Sequence, residues 1–142
     1  MGKYLKNVAL VLIVSLVVNN IVNAASINIT VTNIKNTNGV VRIGIINKEK
    51  DFPYDASIGK KVSISGDSVS VKFTGLAPGE YAVAVHHDEN CNDKLDKNVL
   101  GAPLEGYCFS NNVKALVVPP KFKYVKFTLD TSFSQTLKMM YL

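Results

Sequence analysis

The chain has 142 residues, 47% of them apolar and 19% charged, which fits one folded domain with a core of its own. Its formal net charge is +5. Removing Lys3 and Lys6 with the leader described next leaves 14 basic against 11 acidic residues, a formal +3 spread singly along the chain, and this excludes a nucleic-acid-binding surface.

Lys3 and Lys6 precede an uncharged run from Val8 to Val18, and polar Asn19 and Asn20 then lead into Val22-Asn23-Ala24. This order predicts a secretory signal, residues 1–24, cleaved after Ala24, and a single domain over residues 25–142. The apolar run is shorter than the roughly 20 residues a spanning helix needs, and no later segment can span a membrane. An exported protein, periplasmic or extracellular, is expected.

In the domain, Ile27, Ile29 and Val31 alternate with Ser26, Asn28 and Thr30, the period of a half-buried strand. Asn38-Gly39 is a turn dipeptide before the alternating Val41, Ile43 and Ile45, so residues 26–47 read as an antiparallel hairpin. Residues 48–61 lack a period and read as a loop, with Phe52 and Tyr54 packing it down over the sandwich edge. Alternation returns over Lys61 to Ser65 and Ser68 to Thr74, with Ser65-Gly66-Asp67 as the turn between them.

Gly75 to Tyr81 is a turn built on Pro78 and Gly79, and YAVAVHH follows as a strand buried on both faces. Tyr81, Val83 and Val85 point one way; Ala82 and Ala84 point the other, small enough for a second layer to approach closely. Lys121 to Asp130 and Thr136 to Leu142 read as the last strands. The sum is an all-β protein, an antiparallel β-sandwich of about seven strands with a long acidic, asparagine-rich loop.

That loop is the candidate site. Asp88, Asn90 and Asn92 place side-chain oxygens at positions 1, 3 and 5 of a cation-binding loop, with the Lys94 carbonyl at position 7 and Asp96 at position 9. Position 12 falls on Val99, so the bidentate glutamate is missing unless Glu105 folds in to replace it. Position 6 is Asp93 instead of glycine, although aspartate tolerates a left-handed backbone. The set predicts a weak Ca²⁺ site, and the same residues also make Asx turns that satisfy a bare loop backbone. Spacing alone leaves both open.

His86 and His87 are adjacent at a strand end, so their side chains point to opposite faces of the sheet and cannot easily hold one metal ion together. A hydrolase of small molecules, with His86 or His87 in a cleft beside Asp88 and Ser110, is the alternative function, though no serine-elbow or zinc-helix motif accompanies it. Such an enzyme requires one histidine, Asp88 and Glu105 around an open pocket. A non-enzymatic module binding an unknown envelope or extracellular partner requires buried histidines and loop oxygens turned inward on one point.

From Phe73 to Asn112 the chain resembles a family of exported bacterial proteins described as domain of unknown function 2141. It supplies, in order, Gly75-Leu76-Ala77-Pro78-Gly79-Glu80-Tyr81-Ala82-Val83, then His87-Asp88-Glu89-Asn90-Cys91-Asn92 with Asp96, then Gly101-Ala102-Pro103-Leu104-Glu105-Gly106-Tyr107-Cys108-Phe109-Ser110-Asn111. The turn and strand also look like transthyretin-like and carboxypeptidase regulatory-like sandwiches, which implies an Ig-like or prealbumin-like fold of seven strands. Fold likeness implies no reaction. Cys91 and Cys108 stand where the family pattern usually has glycine, and in an exported chain this pair of departures implies a Cys91–Cys108 disulfide, worth on the order of 3 kcal/mol by loop entropy.

Overall fold

The computed structural model describes residues 24–142, so the expected signal segment lies, but for Ala24, outside the described residues. Eight strands form two sheets: β1 (Ala25–Thr32), β2 (Val40–Ile46), β3 (Ile58–Ser63), β4 (Val69–Leu76), β5 (Gly79–Asp88), β6 (Tyr107–Phe109), β7 (Phe127–Leu129) and β8 (Ser132–Lys138). One sheet has the order β4-β1-β8. The other runs β3-β2-β5-β6, with β7 also paired to β5. The protein is all-β, open and sandwich-like, and among the described residues no helix is long and apolar enough to cross a membrane.

The alternating residues of β1 do what their period predicts. Ile27, Ile29 and Val31 are buried and meet Val41, Ile43 and Ile45 of β2 and Val83 and Val85 of β5 in one core between the sheets. Burying an aliphatic side chain of this size contributes roughly 1.5–3 kcal/mol before chain entropy is charged against it.

The expected hairpin of residues 26–47 is not formed. β1 pairs with β4 and β8, whereas β2 pairs with β3 and β5 in the opposite sheet. The reversal fails because the chain crosses between sheets after β1: Asn33 turns at φ 63°, and buried Ile34 donates its N–H to the Asp67 carbonyl at 2.9 Å. Gly39 does turn, at φ +64°, but it presses on the end of β5. A Cβ there would lie 1.9 Å from the Asp88 carbonyl oxygen.

Two further readings change. β1 and β8 are parallel, with Ile29 opposite Gln135, so the sandwich is not antiparallel throughout. The expected strand over Lys121 to Asp130 divides into a single helical turn, α1 (Phe122–Val125), and the short β7. Phe122 and Val125, three residues apart, are buried in one cluster, a spacing that a helical turn brings to one side and a strand would send to opposite faces. The last strand starts at Ser132, and its continuation reaches Tyr107 through a bridge at Met140.

β5 is buried on both faces, as its alternation requires. Opposite the main core, Ala82 lies under a second cluster with Tyr107, Phe109, Phe122 and Val125. The loop after β2 is packed down by Phe52, whose ring centroid lies 5.7 Å from that of Phe109 and 5.9 Å from that of Phe122, while Tyr54 stays exposed. Ser110 joins this layer to the sheet: its buried Oγ accepts the Val83 N–H at 2.9 Å and donates to the Val125 carbonyl at 2.5 Å.

Truncating Ser110 strands a buried Val83 N–H. Ser110→Ala should therefore lower the unfolding free energy by about 1–3 kcal/mol in urea titration. Ser134→Ala, on the exposed face of β8, should change it by less than about 0.5 kcal/mol.

Candidate functional site

The site begins where β5 ends. Asp88 is fully buried; its Oδ1 accepts the Asn92 N–H and its Oδ2 the Asp93 N–H, each at 3.0 Å. One carboxylate thus folds the chain back on itself within five residues. Its charge is answered from β2, where Arg42 sits opposite His86 and places Nε 3.0 Å from Asp88 Oδ2, an ion pair in which the Nε–H makes no directed hydrogen bond. The Arg42 guanidinium also contacts the Asp93 carboxylate, which Lys61 of β3 reaches at 2.9 Å. The Lys61 hydrogen bond, with the Arg42 charge behind it, holds the Asp93 carboxyl below its usual range.

The left-handed conformation expected at position 6 is present, with Asp93 at φ 68°, and Cys91 is also left-handed at φ 58°. Asn90 Oδ1 accepts the Asn92 N–H at 3.1 Å, and Asn92 Oδ1 accepts the Lys94 N–H at 2.9 Å. Both amide groups then donate to Asp96, Asn90 at 2.7 Å and Asn92 at 2.9 Å. Asp88, Asn90, Asn92 and Asp96 are therefore brought together in one network, with the Lys94 backbone inside it.

Glu105 meets that network through backbone alone. It is buried, and it bridges the two ends of the loop from the other side, Oε1 accepting the Glu89 N–H at 2.9 Å and Oε2 the Asp96 N–H at 3.0 Å. Val99 is fully exposed. Among the described residues no three His, Cys, Asp or Glu side chains gather as a metal site. The network has two carboxylates, Asp88 and Asp96, and two amides, whose N–H groups face Asp96 while their oxygens accept backbone N–H groups. Hard oxygens of this kind fit Ca²⁺ in donor type and fall short in charge.

The histidines separate as their adjacency requires. His87 is fully buried, with Nε2 2.7 Å from the Asn38 carbonyl and Nδ1 2.9 Å from the Tyr141 hydroxyl. A carbonyl only accepts, so Nε2 carries a proton, and the tautomer with its proton there leaves Nδ1 to accept the Tyr141 O–H. Gly106 makes room for this tyrosine, since a Cβ there would come within 2.4 Å of its ring. His86 faces the other way, into a groove on the outer side of the sheet, and its buried Nε2 has no hydrogen-bond partner among the described residues. Burial pulls its imidazole below the ordinary histidine value, with Asp88 opposing and Arg42 reinforcing the shift.

Asp88 and Glu105 spend their oxygens on loop amides, Ser110 is bonded to backbone on both sides, and among the described residues neither histidine is hydrogen-bonded to a carboxylate. Sequence reasoning passed over Arg42, Lys61 and Tyr141, which complete the site. Arg42 left a signal in the sequence, a lone charge between Val41 and Ile43 in an otherwise apolar strand.

The expected Cys91–Cys108 bridge is not formed: both are free thiols. Cys108 lies opposite Val85 and enters the core between the sheets, while Cys91 is exposed on the loop beyond the end of β5. Burial pushes the Cys108 thiol far above its ordinary value. A thiol reagent should therefore modify one cysteine, Cys91, in the native protein and the second only after denaturation, counted by mass spectrometry. Protection of both until a reductant is added would contradict the free-thiol arrangement.

No curated protein and no solved structure matches the chain. A family model does, over residues 29–136, from the fifth residue of β1 through the candidate site and into β8. The chain belongs to the family described as uncharacterized protein conserved in bacteria (DUF2141).

Proposed function

We propose that the protein is an exported, non-enzymatic binding module of the bacterial envelope or extracellular space, with a prealbumin-like sandwich carrying a Ca²⁺-ordered loop. The observation that carries the reading is the use made of the two buried carboxylates. Asp88 and Glu105 stand next to the histidine pair, yet both hold loop backbone, which builds a rigid recognition surface and leaves no oriented base.

Asp88, Asn90, Asn92 and Asp96, with the Lys94 carbonyl, hold the ion, which requires the Asn90 and Asn92 amides to turn their oxygens, in place of their N–H groups, toward Asp96. Asp88 gripping the N–H groups at positions 5 and 6 supports this, since it fixes the turn that brings Asn90, Asn92 and Asp96 together. With two carboxylates and Arg42 nearby, affinity is weak.

Calcium at a hundredfold excess over Kd should raise the unfolding free energy by about 2.7 kcal/mol, read as a higher melting temperature than in chelator. Asp96→Ala should remove most of that increment while leaving the Asp88 anchor in place, and Mg²⁺ should produce far less of it. Identical melting curves in millimolar calcium and in chelator, with no heat in calorimetry, would mean that the loop is held by its Asx turns alone. Export has its own test: the mature protein should begin at Ala25 or Ser26 by mass spectrometry, and a mature species retaining Met1 would reject it.

A further inference from the structure

The outer face of the five-stranded sheet has no second sheet over it. Where β2, β5 and β6 run side by side, Arg42, Gly44, Ala84 and His86 face outward, and chain around residues 53–56, 93–97 and 115–119 rises beside them. Together they enclose a groove of about 750 Å³, within the range that holds small molecules.

Its floor is low at Ala84, while Gly44 admits the close approach of Ala56, whose Cβ lies 2.8 Å from where a Cβ of residue 44 would stand. Its walls are apolar, and Tyr54, Leu116, Val117 and Val118 keep large parts of their side chains exposed there. Clustered apolar surface of this kind marks a place that is covered in use. His86 Nε2 is a buried polar atom without a partner at this floor.

Charge selects the occupant. Of the cationic side chains along the lining, Arg42, Lys61, Lys94 and Lys97 stand against the single carboxylate of Asp93, which Arg42 and Lys61 already engage, while Lys60 spends its ammonium on the Lys72 carbonyl at 2.7 Å. Lys97 also stands over the Tyr54 ring, its Nζ 5.7 Å from the centroid, so a cation and an apolar wall belong to the same end of the groove. A purely apolar ligand leaves these charges unanswered, and a small inorganic anion leaves the walls wet.

We propose that this groove binds a single-chain amphipathic carboxylate, its chain lying on the floor at Ala56 and Ala84 against Tyr54 and the Leu116–Val118 wall and its carboxylate held by the lysines of the rim. The inference extends the binding-module reading and is independent of the ion. Loss of the calcium response would leave it standing, and its own failure would leave the calcium response unchanged.

The test is isothermal titration calorimetry of the purified protein with sodium decanoate, 1-decanol and decyltrimethylammonium. Decanoate should bind saturably at one site, and the neutral and cationic analogues should bind far more weakly. Lys94→Ala combined with Lys97→Ala should weaken decanoate on the order of tenfold, about 1.4 kcal/mol, while Lys138→Ala on β8 should not. Ala84→Leu should fill the floor and abolish binding. Val117→Asp, on an exposed wall, should do the same if the leucine disturbs folding. Absence of saturable heat, equal binding of decanol, or undiminished binding by these variants would overturn the proposal. So would dimerisation in sedimentation experiments that Ala84→Leu abolishes and decanoate leaves unchanged, which would assign the groove to a second copy of the chain.

Discussion

The fold around the site depends on a buried negative charge at the end of β5. The chain from Glu89 to Gly106 is mostly polar and irregular, and its backbone N–H and C=O groups need partners that strands no longer supply. Asp88 and Glu105 provide them, each gripping two N–H groups, and charge-assisted bonds of this type are about twice as strong as neutral ones. A carboxylate this deep is costly unless it is compensated, which is the role of Arg42 from the neighbouring strand. The loop, the Arg42 position in β2 and the end of β5 thus form one interdependent unit.

β5 passes that constraint to the rest of the molecule through its two faces. Tyr81, Val83 and Val85 build the core between the sheets, and His87 extends the same row to a closed hydrogen-bonded end at Asn38 and Tyr141. Ala82, Ala84 and His86 form the opposite row, where small side chains first admit the aromatic layer of Phe109 and Phe122 and then leave a groove. Adjacent histidines are therefore assigned to different environments by strand geometry alone. Both neighbouring carboxylates are turned to backbone.

Much of this was legible in the sequence, for local reasons. The period of two located β1, β2, β4 and β5, and the Asp88, Asn90, Asn92, Asp96 spacing located the network, because both depend on residues close in the chain. Partner choice was not legible. Alternation says which face of β1 is buried and nothing about whether β2 or β8 lies beside it, so the hairpin was misread and the parallel pair missed. Alternation over Lys121 to Asp130 placed Phe122 and Val125 on opposite faces, whereas a single helical turn brings both into one cluster. Cys91 and Cys108 invited pairing by number, but β6 directs Cys108 into the core while the loop keeps Cys91 outside. Arg42, Lys61 and Tyr141 reach the site only through sheet register and the return of the C-terminal chain.

The anchoring of the loop by two carboxylates is tested most directly by residue-resolved hydrogen exchange in calcium-free buffer. The Asn92 and Asp93 amides belong to Asp88, and the Glu89 and Asp96 amides belong to Glu105. All four should exchange slowly although much of the loop is exposed, with Asp88→Asn selectively releasing the first pair and Glu105→Gln the second. Exchange of these amides at free-peptide rates in the unmodified protein, or release of all four by either substitution without distinction, would contradict the account.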